Sequence, residues 1–297
     1  MNNNIEYVSC KSIVTNSKND FWFGTSYNMN IYRGCSHGCI YCDSRSECYH
    51  DDTFFKVKIK ENALRVIERD LRSKQKKGVI ATGSMSDPYN PLEKSQNMTR
   101  AALKLIDKHG FGVAIATKSP LVTRDIDLLK SIAQHSPVLV MMTVTTADDN
   151  LAAKLEPKVA LSSARFAALK QLSDNGIFCG ILLMPVLPFI TDNLDNITAI
   201  VNLASGNKID FVYPAFGVTL RDRQRTYYYN KLDELFPGTK DRYRRTYATQ
   251  YSCECQDARQ LAQNTAALCK EKGILRNMRD IITAYQKSYQ VEQLSLF

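Results

Sequence analysis

The sequence lacks any apolar run long enough to cross a membrane. Its longest run, Pro137–Val144, has only the length of a buried strand. The first residues, MNNNIEYVSCK, lack the basic region and apolar stretch of a secretory signal. Long linkers, low-complexity tracts and internal repeats are also missing. We therefore expect a cytoplasmic protein without a membrane partner, and 44% hydrophobic and 23% charged residues favour a packed fold over disorder.

Acidic residues are fewer than basic residues in this sequence. The chain carries 39 Lys and Arg residues against 30 Asp and Glu residues, a formal net charge of +9. Such a balance favours an anionic partner, of which nucleic acid is the commonest. A basic protein without such a partner is the alternative, because net charge alone separates the two poorly.

Strand-like and helix-like stretches alternate from about residue 57 to 213. The expected strands are Gly24–Tyr32, Gly78–Thr82, Gly112–Thr117, Val138–Val144, Ile177–Met184 and Ile209–Tyr213. The expected helices are Ser95–His109, Thr123–Gln134 with Thr123 as its cap, Ser162–Asn175 and Asp192–Ala204.

This alternation predicts a parallel α/β sheet, because parallel neighbours need a helical crossover. About six units are present, whereas a full TIM barrel has eight. We predict a partial (β/α)6 TIM-type barrel over residues 1–213, with an open doubly wound sheet as the alternative. Residues 214–297 are expected to form a mainly helical C-terminal extension.

Three of the nine cysteines lie within eight residues, in the segment YRGCSHGCIYCDSR. A secreted disulfide scaffold would spread its cysteines, so the crowding indicates metal or cluster ligation. Cys35, Cys39 and Cys42 can bind three corners of a cubane 4Fe–4S cluster. No fourth cysteine follows at ferredoxin spacing, so one iron stays open to a small ligand. The alternatives are three unrelated thiols or a zinc site, which usually needs four protein ligands.

This motif, just after a predicted first strand, resembles that of the radical S-adenosylmethionine (SAM) superfamily. The resemblance implies that the open iron binds the amino and carboxylate groups of SAM. One electron, from a donor such as flavodoxin or ferredoxin, then breaks the S–C5′ bond. The products are methionine and a 5′-deoxyadenosyl radical, which abstracts hydrogen from the substrate.

Further segments are similar to the spore photoproduct lyase-like branch of that superfamily, over about residues 24 to 213. They are TGSMSDPYNPLE (Thr82–Glu93), ATKS (Ala116–Ser119), TVTT (Thr143–Thr146), LEP…R (Leu155–Arg165) and MPVLP (Met184–Pro188). Most follow the carboxyl end of a predicted strand, where barrel enzymes place their active sites.

The resemblance implies six cofactor-binding residues. Ser86 contacts SAM, and Lys118 reaches its carboxylate. Thr143 (or Thr145) forms a hydrogen bond with the sugar or carboxylate region, and Met184 lines the adenine pocket. Tyr41 lies near the adenine through its backbone, and Arg165 pairs with Glu156 or with the SAM carboxylate. Ordinary roles compete with each, such as turn chemistry at Ser86 or a solvated charge at Lys118. Spore photoproduct lyases carry a hydrogen-donating cysteine where this chain has Ser84, which argues against the thymine-dimer reaction itself. The alternatives are a different substrate or a hydrogen donor elsewhere, a cysteine or a tyrosine.

The extension holds two more patterns. Arginines alternate with tyrosines over residues 214–251, a composition suited to phosphate binding and base stacking, although the tyrosines can equally pack on the barrel. Cys253, Cys255 and Cys269 are close in sequence and could hold an auxiliary cluster, with Cys10, Cys48 or Cys179 as a fourth ligand. Inert buried thiols are the alternative.

The last five residues, QLSLF, resemble the peptide with which bacterial DNA polymerases and repair proteins bind the replication sliding clamp. In that resemblance Leu296 and Phe297 fill an apolar pocket beside Leu294, and Gln293 orients the peptide. Packing of these residues into the chain's own core is the alternative.

These patterns together predict a radical SAM enzyme that acts on DNA, in repair or modification, as a lyase-like protein. Two alternatives stay open. The first is a radical SAM enzyme that modifies a peptide or tRNA, and the second is a non-catalytic, zinc-containing nucleic-acid-binding protein.

Overall fold

Two sheets form the framework of this computed structural model, which describes residues 5–18, 21–47 and 53–294. The larger sheet has the strand order β11-β10-β9-β8-β7-β6-β3-β2, and the smaller has the order β1-β5-β4. The strands are β1 (Glu6–Val8), β2 (Val14–Asn16), β3 (Tyr27–Met29), β4 (Tyr32–Arg33), β5 (Lys58–Lys60), β6 (Val79–Thr82), β7 (Gly112–Thr117), β8 (Val138–Thr143), β9 (Cys179–Val186), β10 (Phe211–Thr219) and β11 (Ser252–Glu254).

Six neighbouring strands of the larger sheet, from β3 to β10, are parallel and follow one another in chain order. Antiparallel β2 and β11 close its two edges. A doubly wound sheet would reverse its strand order partway, and this one does not. The prediction of a partial (β/α)6 barrel is therefore confirmed, and the doubly wound alternative is wrong.

Helices follow the parallel strands. They are α1 (Ala63–Arg72), α2 (Glu93–Gln96), α3 (Met98–Lys108), α4 (Ile126–Ile132), α5 (Asp149–Leu155), α6 (Ser162–Asp174), α7 (Leu194–Gly206), α8 (Asp222–Leu235), α9 (Thr239–Tyr247), α10 (Ala258–Glu271) and α11 (Met278–Leu294). The predicted helix Ser95–His109 is divided in two, because Asn97 has a left-handed φ of 51°.

The predicted cap at Thr123 is wrong. A 3-10 helix, Pro120–Asp125, precedes α4 and begins after Ser119, whose hydroxyl accepts a hydrogen bond from the Leu121 amide. The Thr123 hydroxyl instead donates to the carbonyl of Pro120 at 3.0 Å. Proline favours the first position of a helix, so the helical turn begins earlier than the periodicity indicates.

The inner face of the curved sheet forms an apolar cluster of its own. Ala114, Met141 and Leu182 belong to it, and so do Met278 and Ile281 from α11. The hydroxyl of Tyr285, on the same helix, donates to the carbonyl of Phe23. Helix α11 therefore closes the barrel at the amino-terminal ends of its strands, where Val79 and Phe211 lie in the same cluster.

The mainly helical C-terminal part is continuous with the barrel. Strand β10 crosses the predicted boundary at residue 213, and β11 pairs with it antiparallel through Gly217 to Thr219. Helix α10 packs against β10 and α7. Within the described residues, no helix is both long enough and apolar enough to span a membrane.

Candidate active site

A cavity of about 340 Å³ lies at the carboxyl ends of the parallel strands. That volume falls in the usual range for small-molecule sites, about 300–1,000 Å³. Its walls include all three cysteines of the triad and five of the six residues implied to bind SAM. These residues are Cys35, Cys39, Cys42, Tyr41, Ser86, Lys118, Thr143 and Met184. Arg165 is not among the lining residues, and Thr145 is buried away from the cavity with an unpartnered hydroxyl.

The cysteine loop begins with a glycine that no other residue can replace easily. Gly34 has a φ of +80°, and a Cβ there would lie 2.5 Å from the carbonyl oxygen of Lys56. The loop is then fixed by backbone hydrogen bonds from Cys35 to Phe54 at 2.8 Å and from Ile40 to Leu155 at 2.9 Å. The Ser86 hydroxyl donates to the Gly34 carbonyl, which ties the loop after β6 to the cysteines.

The donor set fits a cubane cluster better than a single ion. The three thiols are free and face one cavity. Among the described residues, no group of three or more His, Cys, Asp or Glu side chains is placed to hold one metal ion. A 4Fe–4S cubane puts each thiolate on a different iron, so its ligands surround a volume instead of converging on a point. This arrangement also leaves the zinc alternative without a site in the described chain.

His37 and Asp87 are site residues that the sequence analysis missed. Burial raises the pKa of the Cys35 thiol, but the hydrogen bond and charge of His37 outweigh it, so the pKa lies below its ordinary value. The Nδ1 atom of His37 lies 3.6 Å from Oδ2 of Asp87. Burial alone dominates at Cys39, where it raises the pKa of the thiol. The position of His37 inside the cysteine motif was the available signal.

Asp87 organises the loops that follow β6 and β7. Its carboxylate accepts hydrogen bonds from the Thr117 hydroxyl and the Lys118 amide, both at 2.7 Å, and from the Tyr89 amide at 2.8 Å. Gly83 makes the approach of the two loops feasible, because its φ is +99° and a Cβ there would lie 1.9 Å from the Ala116 carbonyl oxygen. The loop after β6 therefore does contain a hydrogen-bonded turn at Asp87, and the adjacent Ser86 also lines the cavity.

Lys118 supplies the positive charge of the cavity. Burial lowers the pKa of Lys118, but the charges of Cys39 and Glu156 outweigh that effect and raise it above its ordinary value. The ammonium lies 5.9 Å from the centroid of the Tyr41 ring. A lysine held in its charged form suits a carboxylate ligand.

Glu156 connects the cysteine loop to strand β8. It accepts a hydrogen bond from the Tyr41 hydroxyl and forms an ion pair with Arg165 at 2.5 Å, and both side chains of the pair are at most 1% exposed. Arg165 also donates to the carbonyls of Thr143 at 2.9 Å and Ala160 at 2.8 Å. Two partners were considered for Arg165, Glu156 and the SAM carboxylate, and the structure shows the pair with Glu156. Arg165 does not line the cavity, but it holds the backbone of Thr143, which does.

The three cysteines of the C-terminal part do not come together. Cys253 packs in one apolar cluster, whereas Cys255 and Cys269 pack in another. Burial raises the pKa of these thiols, to about 11 for Cys253 and Cys269 and to about 12 for Cys255. The contacts give an auxiliary cluster no support and fit inert buried thiols. Cys48, one suggested fourth ligand, lies outside the described residues.

Most of the tyrosines expected to stack on bases are core residues. Tyr228, Tyr229, Tyr243 and Tyr247 are at most 7% exposed, so the alternative that they pack on the barrel is correct for these four. Arginines of this region also have internal partners. Arg221 pairs with Asp43, Arg223 donates to the Arg45 carbonyl, and Arg225 donates to the carbonyls of Leu220 and Gln250, among others.

Part of the QLSLF tail lies outside the described residues, which end at residue 294. Gln293 and Leu294 form the end of α11, and their side chains are also not described. Leu296 and Phe297 fall beyond the described chain, so the sliding-clamp interaction stays a prediction.

Comparison with known proteins identifies the family. The family model described as the radical SAM superfamily matches residues 29–199, more than half of the chain. The chain belongs to the radical SAM superfamily. It is therefore an enzyme whose cofactors are a 4Fe–4S cluster and SAM.

Two of the relatives that match this chain are described as uncharacterized proteins. A Mycobacterium tuberculosis protein is 29% identical over 250 residues, which cover 81% of this chain and 72% of that protein. A Methanocaldococcus jannaschii protein is 37% identical over 172 residues, 57% of this chain and 63% of that protein. Spore photoproduct lyase complexed with dinucleoside spore photoproduct superposes with a TM-score of 0.65 over 90% of this chain and 80% of that one. At 12% identity this likeness shows a shared fold.

Proposed function

We propose that this radical SAM enzyme acts on DNA, in repair or modification, with its cofactors held by the cavity at the carboxyl ends of the strands. The observation that carries the cofactor part of the proposal is the lining of that cavity, where three free thiols lie beside a charged lysine. When bound, the cluster supplies the electron that splits SAM into methionine and a 5′-deoxyadenosyl radical.

Each proposed role combines the lining of the cavity with what the radical SAM resemblance implies. Cys35, Cys39 and Cys42 hold the cluster by three irons and leave the fourth open to SAM. Lys118 neutralises the SAM carboxylate, and its charged state suits that role. Thr143 and Met184 also line the cavity, near the carboxyl ends of β8 and β9, and the resemblance assigns them to the sugar and the adenine of SAM.

Three observations support a DNA substrate. The chain has a net charge of +9. Its fold resembles that of spore photoproduct lyase, whose structure contains a dinucleoside photoproduct. Arg244 and Arg245 are exposed on α9, opposite the buried face that carries Tyr243. Arginines on such a surface can contact phosphates regardless of sequence, and a base inside a duplex would have to be extruded to reach the cavity.

Ser84 separates the proposed reaction from that of spore photoproduct lyase. It lines the cavity and is exposed to it. A hydroxyl is a far poorer hydrogen-atom donor than the thiol found at the corresponding position of that lyase. We therefore propose a different lesion or base as the substrate, rather than the thymine dimer of spores.

A turnover assay tests the DNA proposal. The anaerobically reconstituted enzyme, reduced with dithionite, is given SAM alone, SAM with ultraviolet-damaged DNA, SAM with undamaged DNA, or SAM with tRNA. We expect DNA to raise the yield of 5′-deoxyadenosine above the level with SAM alone. Stimulation by tRNA and none by either DNA would favour the alternative radical SAM function.

The QLSLF tail offers a second, independent test of a DNA-related role. We propose that Gln293, Leu294, Leu296 and Phe297 bind the bacterial sliding clamp. A variant lacking residues 293–297 should lose affinity for the purified clamp and keep its SAM cleavage. Equal clamp binding by the full and shortened chains would refute this partner.

A further inference from the structure

The guanidinium of Arg45 lies between two aromatic rings, one residue along the chain from Ser44 of the cavity wall. The central guanidinium carbon lies 3.9 Å from the centroid of the Phe55 ring and 3.8 Å from that of the Tyr227 ring. Guanidinium groups interact with aromatic faces in this way, and contact with two rings restricts the orientation of the donor fork. The side chain is consequently pre-organised, without the rotamer freedom of an ordinary surface arginine.

The N–H donors of the Arg45 guanidinium lack acceptors in the described part of the chain. Arg45 is only 7% exposed, and within the part of the chain that the structure describes its side chain makes neither a hydrogen bond nor an ion pair. Its Nε atom is buried without a partner, whereas its two terminal nitrogens are not among the buried unpartnered atoms. The small exposed part of Arg45 therefore lies at the terminal edge of the fork. A buried cation without an acceptor is unfavourable, so an anion at that edge would stabilise it.

The location connects Arg45 to the active site. It ends the 3-10 helix Asp43–Arg45 that directly follows the triad, and its amide donates to the Cys42 carbonyl at 3.3 Å. The preceding residue, Ser44, lines the cavity. The charges of all three triad cysteines also act on the guanidinium, which puts it within electrostatic range of the cluster site.

We propose that the terminal nitrogens of Arg45 bind a phosphate group of the substrate beside the cysteine loop that lines the cofactor cavity. The planar fork matches a phosphate through two parallel hydrogen bonds. A phosphate attached to a base is favoured over a carboxylate because Phe55 is 51% exposed, so an aromatic ring lies next to the fork as a stacking surface. This inference rests on the proposed function, in which the substrate is a nucleic acid.

The test compares Arg45→Gln with Arg72→Gln, a matched loss of one positive charge. Arg72 lies on α1 with a side chain that is 65% exposed and paired with Glu68. Both full-length proteins, anaerobically reconstituted and checked for iron content, are titrated with a fluorescein-labelled single-stranded DNA oligonucleotide at several salt concentrations. We expect Arg45→Gln to weaken binding by about tenfold or more, and to lower the salt dependence by about one phosphate contact. Arg45→Lys should recover part of the affinity, since it keeps the charge without the fork.

Every outcome decides one of the two proposals. If wild type binds the oligonucleotide and the two glutamine variants behave alike, the phosphate site is overturned and the DNA substrate survives. If wild type does not bind DNA, the proposed function fails, and titration with inorganic pyrophosphate then decides the site. Pyrophosphate binding that Arg45→Gln weakens would retain an anion site, and its absence would remove it.

Discussion

At the scale of single residues, the cofactor cavity depends on a carboxylate that does not line it. Glu156 contacts Tyr41 of the cysteine loop and Arg165, and Arg165 in turn contacts the end of β8 at Thr143. Two walls of the cavity are thereby fixed relative to each other through one buried ion pair. Because both charges are removed from water, the pair is stable only while it is complete.

Replacing Glu156 with alanine should therefore be strongly destabilising. The change leaves the Arg165 cation buried without its partner, which typically costs about 3–5 kcal/mol of unfolding free energy. Urea-induced unfolding followed by circular dichroism measures it. Asp174→Ala is the control, since it breaks an exposed pair with Lys170 on α6 and should cost less than about 1 kcal/mol. Similar losses in the two variants would show that the buried network does not have this role.

Residue identities could be predicted where the chemistry is local in sequence. The triad was recognised from its spacing, and the positions after strands brought Ser86, Lys118 and Thr143 to one cavity. The role of His37 and the Tyr41–Glu156 contact could not be derived in this way, whereas Glu156 was one of the two partners that the resemblance implied for Arg165. The Tyr41–Glu156 contact spans 115 residues, and no spacing rule links two residues so far apart.

At the scale of elements, strand and helix alternation predicted the six parallel strands, but their ends were less certain. Strand β10 was expected to stop at Tyr213, before a proline, yet it continues to Thr219. The sheet accommodates Pro214 with a shift in register between Pro214 and Phe216. Proline normally ends a central strand because it lacks an N–H group, so sequence reasoning favours the shorter strand.

Helix α11 provides an element-scale prediction. If this helix closes the barrel, Ile281→Ala should create a cavity and lower the free energy of unfolding by about 2–5 kcal/mol. Ile281 is 0% exposed, whereas the neighbouring Thr283 is exposed. Thr283→Ala is therefore the control and should leave stability nearly unchanged. Calorimetry that found Ile281→Ala as stable as wild type would mean that α11 is not part of the barrel core.

At the scale of the whole molecule, a basic chain combines a radical SAM barrel with a C-terminal part that completes the barrel instead of standing apart. Strand β11 extends the sheet and α11 packs into its interior. The four buried tyrosines serve this packing, so exposed side chains such as Arg244 are the ones left to contact the proposed DNA substrate. Composition predicted the positive charge. It could not distinguish tyrosines that pack in the core from tyrosines that stack on bases, because an aromatic ring with a hydroxyl group suits both roles.

The central claim is that Cys35, Cys39 and Cys42 hold a cluster with one iron open to SAM. The most direct measurement is electron paramagnetic resonance of the dithionite-reduced protein, with and without SAM, in wild type, Cys39→Ala and Cys269→Ala. Cys269 is the control because it is buried in a separate apolar cluster. The account predicts a cluster signal that SAM alters in wild type and Cys269→Ala, and no such signal in Cys39→Ala. A SAM-responsive signal that survives Cys39→Ala, or that is lost with Cys269→Ala, would contradict it.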